Sequence, residues 1–136
     1  MLTVLEKVDL IQKASIFKEI PTESLVRIAA IAQEVNFEPS QWLFLENEAA
    51  ASLFVLLEGQ VLLLRKGKEE KTLGVFEFPG AFPVLADAHH PASAQATQPT
   101  RALRIDQPDL FEAMTEDFNV TRGILKALVG LAAGGH

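Results

Sequence analysis

The side chains that could do chemistry in this 136-residue sequence gather late in the chain. Asp87 stands two residues before the pair His89-His90, Ser93 follows, and Arg101 and Arg104 come after that. A carboxylate beside two imidazoles invites a metal reading. A zinc site needs three or four ligands at converging positions. Adjacent histidines on a loop point apart, the only other histidine is the terminal His136, and there is no cysteine to complete a set. No metal and no cofactor are therefore expected. The sequence also lacks a Ser/His/Asp set, a paired acid dyad and a glycine-rich phosphate loop, so it does not read as an enzyme. Ser93 reads as a turn hydroxyl and Asp87 as a solvated loop carboxylate. Arg101 and Arg104 read as strand residues facing solvent on either side of Leu103.

Composition narrows the partners. Hydrophobic residues make up 49% of the chain, which is enough for a core without staples, and the mean hydropathy is +0.19. A net charge of −6 and a pI near 5.0 argue against nucleic acid, whose phosphates are met by clustered Lys and Arg. The one basic cluster, Arg65-Lys66 with Lys68, runs directly into Glu69-Glu70 and reads as a hairpin tip. No run approaches the ~18 apolar residues of a membrane span. Glu6, Lys7, Asp9 and Lys13 interrupt the N-terminal apolar positions, so that segment does not read as a signal peptide. With no cysteine, a reducing, cytoplasmic home is expected.

Elements follow from periodicity and breakers. Val4, Leu5, Val8 and Ile11 recur at helical spacing, with Leu2, Leu10 and Ile16 near the same face. Pro21 ends that region, and a second helix from Thr22 buries Leu25, Ile28, Ala29 and Ala32. From Val35 the period becomes extended. Short strands near Trp42–Leu45, Ser52–Leu57, Val61–Arg65 and Lys71–Phe76 alternate with turns, and two more span Ala94–Thr97 and Arg101–Ile105. Pro79-Gly80 closes the meander before a compact stretch from Phe82 to His90. Pro108 suits the first turn of a helix begun by Asp106, and Val120–Ala132 forms the last helix.

This order resembles the cyclic-nucleotide-binding domain family, found in catabolite-activator-type regulators, kinase regulatory subunits and certain channels. The likeness runs from about Ile16 to Leu131. Its best local points are Ile16-Phe17-Lys18-Glu19-Ile20, the strand pair Leu53 to Val61, the stop Phe78-Pro79-Gly80 and the exit Arg104 to Phe111. The resemblance implies a mainly β, double-stranded β-helix (jelly-roll) fold, with helices over 2–34, a β roll over 35–105 and C-terminal helices over 107–132, as one domain across 1–136. It also implies a phosphate cassette built from Gly80, Phe82, Val84, Leu85, Ala92, Ser93 and Ala94. There the family's phosphate-binding arginine falls at Ala92, and its ribose-binding acid falls among Pro83, Val84 and Leu85, in a segment about two residues short of the usual length.

The implied framework is thus present while its ligating chemistry is not. Cyclic AMP and cyclic GMP are not expected to bind, and Phe82, Val84 or Leu85 are expected to fill the hollow. Val120, Ile124, Leu125, Leu128, Val129 and Leu131 give the last helix a wide apolar face, and in family members the matching helix pairs with a second subunit or relays ligand binding. Ile124, Leu128 and Leu131 are the expected interface, with a homodimer or a larger polypeptide as partner. The sequence reads as a non-catalytic regulatory module with a degenerate pocket. The alternative is a sensing domain that binds a small molecule in the altered hollow through Ser93 and backbone amides.

Overall fold

A computed structural model describes residues Met1 to Gly134. The chain opens with helix α1 (Val4–Ile11), fixed at its start by a capping box in which Glu6 N–H donates to Thr3 Oγ1 and Thr3 N–H donates to Glu6 Oε1. A run of tight turns leads through Ile20 to α2 (Thr22–Ile31). Extended backbone then begins at Gln33, two residues ahead of the expected boundary, because Ala32 already takes an extended conformation that ends the helix.

Seven strands follow among the described residues: β1 (Gln33–Phe37), β2 (Trp42–Phe44), β3 (Ser52–Glu58), β4 (Val61–Arg65), β5 (Lys68–Leu73), β6 (Ser93–Ala96) and β7 (Thr100–Asp106). They form two antiparallel sheets, ordered β1-β7-β3 and β2-β6-β4-β5. The one-turn helix α3 (Ala81–Leu85) interrupts the strands, and α4 (Gln107–Glu116) and α5 (Phe118–Gly134) close the chain. These are antiparallel sheets with flanking helices, a jelly-roll arrangement.

Two cores explain the uninterrupted apolar run of β3. Side chains alternate across a strand. Leu53, Val55 and Leu57 join Val8, Ile11, Phe17, Leu25, Ile28, Leu103, Ile105, Leu110, Val120 and Ile124 in a core shared with the helices. Phe54 and Leu56 instead pack with Val61, Leu73, Ala94 and Ala102 in the second core. A strand buried on both faces has no polar side to show. The β4–β5 hairpin turns on Lys66-Gly67, whose φ angles of 53° and 75° are those of a two-residue hairpin turn. Lys68 therefore belongs to the returning strand, not to the tip.

The helical phase of α5 differs from expectation. Val120, Gly123, Ile124 and Ala127 form its buried stripe. Gly123 lies so close to Ile20 that a Cβ placed there would stand 2.6 Å from Ile20 Cγ1. This contact turns Ile124 into the core, where it is 1% exposed, and packs Leu128 partly against the same cluster. The exposed large apolar residues of α5 are Phe118, Leu125, Val129 and, of the expected interface set, Leu131. Leu5, expected on the inner face of α1, is also exposed.

Candidate ligand hollow

A hollow of about 560 Å³ opens between the second sheet and the segment that joins β5 to β6. Six groups of residues build it. Phe44, Leu63, Lys71 and Leu73 come from β2, β4 and β5. The stretch from Val75 to Gly80 runs along one side, Phe82 and Pro83 of α3 stand over it, and His90, Pro91 and Ala92 close the far wall. Lys13 and Ser15 reach it from beyond α1, and Leu131 from the end of α5.

Gly80 is what lets the wall fold this way. Its φ of 90° lies in the left-handed region, and a Cβ there would sit 2.9 Å from the Ser52 carbonyl oxygen. Phe54 N–H donates to Pro79 O at 3.0 Å and Leu56 N–H to Glu77 O at 3.0 Å, which lashes the wall to β3. The chain then enters α3, whose single turn divides its side chains. Ala81 and Val84 are buried in the helical core and Leu85 packs against it, while Phe82 stays 55% exposed at the mouth. Val84 and Leu85 thus face away from the hollow, so neither fills it and it remains open.

Among the residues implied for the cassette, Gly80, Phe82 and Ala92 line the hollow. Ala94 is buried between the sheets. Ser93 Oγ accepts a hydrogen bond from Glu46 N–H at 2.8 Å and is not among the lining residues. Asp87 is also engaged elsewhere: its Oδ1 accepts from Gln107 Nε2 at 3.1 Å, and the same amide donates to Val84 O at 2.8 Å. Of the expected interface residues, Leu131 alone reaches the hollow, and it is 38% exposed.

The electrostatics are sparse. Lys13, Lys71 and Glu77 are the lysines and carboxylate in the lining, and no arginine is present there. Lys71 Nζ stands 4.0 Å from Glu77 Oε2, and Lys13 Nζ lies 5.3 Å from the centre of the Phe76 ring. Arg101 pairs with Glu58 at 2.8 Å and Glu34 at 3.7 Å, and Arg104 with Asp106 at 3.1 Å, all away from the hollow. Neither arginine lines the hollow.

His90, weighed in the sequence only as half of a metal pair, is instead a buried wall residue of the hollow. It is 2% exposed, lines the hollow, and stacks on Phe44. Burial holds its pKa below the ordinary imidazole value, with Glu48 opposing part of that shift. Its Nδ1 is buried without a hydrogen-bond partner. The neighbouring His89 is exposed, and among the described residues no cluster of His, Cys, Asp or Glu could hold a metal ion. The one available signal was the alternation that sends adjacent side chains to opposite sides of an extended segment.

The profile of the cyclic nucleotide-binding domain matches residues 34–117. The chain therefore belongs to the cyclic nucleotide-binding domain family. A cGMP-dependent protein kinase, egl-4 of Caenorhabditis briggsae, is 24% identical over 114 residues, which is 84% of this chain and 15% of the kinase. The chain thus spans a small part of the curated relatives it matches. Among solved structures, a cyclic-nucleotide-binding candidate from Ruegeria pomeroyi superposes with a TM-score of 0.84 at 20% identity, covering 98% of this chain and 61% of that one. The regulatory subunit of a cAMP-independent protein kinase A from Trypanosoma brucei gives 0.80 at 13% identity, covering 96% and 46%. These likenesses establish the fold. Among the described residues no helix is long and apolar enough to cross a membrane.

Proposed function

We propose that this chain is a non-catalytic regulatory module that keeps the family's fold but does not use cyclic nucleotides, and that it acts by association, as a homodimer or within a larger polypeptide in the cytoplasm. The observation that carries this reading is Ala92 on the wall of the hollow, with no arginine in the lining. A cyclic phosphate brings a full negative charge into a hollow lined mainly by apolar residues. Losing the guanidinium removes a charge-assisted bond of about 1.5–3 kcal/mol and leaves the phosphate poorly compensated. The Ser93 hydroxyl is engaged elsewhere, accepting from Glu46 N–H. A neighbour in fold is itself the regulatory subunit of a cAMP-independent kinase, so this architecture has been put to regulatory use elsewhere without cyclic AMP.

The open volume of about 560 Å³ favours a second reading beside the first, in which the hollow takes another small molecule. Leu131 gives such a ligand a direct route to α5, because the same side chain lines the hollow and sits in the last turn of the helix that carries the exposed apolar residues.

Thermal melting tests the first reading. A ligand that binds only the native state stabilises it by about 2.7 kcal/mol at a hundredfold excess over its Kd. Cyclic AMP and cyclic GMP at millimolar concentration should leave the melting temperature unchanged. A dose-dependent rise of several degrees would overturn the proposal.

A further inference from the structure

We propose that the hollow takes a medium-chain carboxylate, with its apolar chain inside and its charged head at the wall where Lys13 and Lys71 meet. The inference rests on the second reading above, that the hollow takes a small molecule other than a cyclic nucleotide. The interior suits a hydrocarbon chain, because Phe44, Leu63, Leu73, Phe78 and Ala92 line it. Val75, Phe82 and Leu131 also belong to the lining and are exposed. Large apolar side chains grouped around an open volume are poorly solvated, and an apolar guest would cover them.

The head group follows from where the charge sits. Lys13 Nζ lies 5.3 Å from the centre of the Phe76 ring, and Lys71 Nζ stands 4.0 Å from Glu77 Oε2. Both ammonium groups therefore meet consecutive residues of one wall. Two lysines against one carboxylate leave that wall with a positive surplus, in a chain whose net charge is −6. The surplus matches a monoanion. Lys71 and Glu77 are both exposed and only just within pairing distance, so their bond is weak and a second carboxylate can share the lysine. A head group held by exposed lysines keeps part of its water, so it needs no buried cation. The backbone is strained at this same point. Phe76 has a φ of 67°, in the left-handed region that bulky side chains avoid, and its N–H donates to Leu56 O at 2.7 Å. Strain of this kind gathers at ligand sites, and here it sets the ring beneath Lys13.

The probes are decanoate and decyltrimethylammonium, which share an alkyl chain and differ in the sign of the head group. Calorimetric titration of the wild-type chain, below the micelle thresholds, should show saturable binding of decanoate. Decanoate should bind tighter than the cation by about three- to tenfold at low salt, the range of one or two exposed ion pairs. The gap should narrow as added salt screens the head group. Lys13→Gln combined with Lys71→Gln should abolish the preference, and Lys13→Arg combined with Lys71→Arg should keep it. Phe82→Ala, at an exposed rim position, should weaken both probes together. The wild-type comparison needs no variant to fold. The proposal is overturned if wild type does not saturate with decanoate below ~1 mM, or if it binds both probes equally. It is overturned equally if the glutamine pair retains the preference, if the arginine pair loses it, or if Phe82→Ala leaves both affinities unchanged. Cyclic AMP is titrated in parallel. Binding of cyclic AMP would sink the regulatory reading above, whereas silence from all three ligands would sink this inference and leave that reading standing.

Discussion

The imidazole of His90 lies flat against the ring of Phe44, with centroids 3.7 Å apart and planes 6° from parallel. Phe44 in turn stacks near Phe54, at 6.3 Å and 26°, and Phe54 meets Phe37 edge-on at 5.7 Å. A polar ring thus ends a column of aromatics that runs from the wall of the hollow into the core between the sheets. The column links the hollow to the stability of the sheets, and it places a titratable group where water is scarce.

Stability should therefore depend on pH through His90. Its folded-state pKa is depressed, chiefly by burial, below the ordinary value of 6.5. The unfolded chain then takes up the proton first, so stability is full above that value and falls as pH drops toward the folded pKa. Urea midpoints should decline from about pH 7.5 to about pH 5.5, and His90→Phe should decline less over the same interval. Equal declines would mean that His90 is not the group responsible.

Gly123 should resist substitution by the better helix former. Alanine ordinarily stabilises a helix interior by about 0.8–1 kcal/mol relative to glycine. Here the added Cβ would meet Ile20 at 2.6 Å from its Cγ1 and 2.8 Å from its Cα. Pushing α5 off the backbone of that turn should cost about 1–3 kcal/mol, typical of overpacking. Gly123→Ala should lower the urea midpoint, and a rise would show that the helix can shift without cost.

The apolar face of α5 supports a prediction about association. Phe118, Leu125 and Val129 recur at spacings of seven and four, which places them on one side of the helix, and Leu125 and Val129 are 52% and 68% exposed. Each such side chain contributes about 1.5–3 kcal/mol when buried, so a symmetric pair of faces could offset the cost of dimerisation. Leu125→Glu should convert a dimer into a folded monomer in sedimentation, while Ile124→Glu should unfold the chain. A wild type that stays monomeric at high concentration would remove this face from the account.

Much of the fold was legible because local chemistry and tertiary context agree. Lys66-Gly67 supplies the left-handed pair a tight hairpin requires, Pro79-Gly80 ends the meander, and Leu53 to Leu57 is apolar throughout because both its faces are buried. The site was less legible. Lys13, Ser15 and Leu131 reach the hollow only through long-range packing, which no local pattern encodes. In α5, apolar residues from Val120 to Leu131 occupy several faces, so periodicity could not decide between Ile124 and Leu125; the close approach of Gly123 to Ile20 decides it. Val84 and Leu85 looked like plugs because their side in a one-turn helix depends on how that turn meets β3.

Placing a positive charge at Ala92 should confer some binding. Ala92 is nearly buried on a wall that faces open volume, so an arginine there has room to extend into the hollow. Ala92→Arg should strengthen cyclic AMP binding by about 1.5–3 kcal/mol, roughly ten- to a hundredfold, relative to wild type. No gain by calorimetry would show that the Gly80–Ala92 frame itself no longer fits a cyclic phosphate.

Calorimetric titration of the wild-type chain with cyclic AMP, repeated with cyclic GMP, bears most directly on the central claim. The account predicts no saturable heat from either nucleotide. A dissociation constant of ~10 µM or tighter corresponds to about 7 kcal/mol of binding energy, more than a hollow without its arginine can supply. Saturation at that level would contradict the account and return the chain to the cyclic-nucleotide sensors of its family.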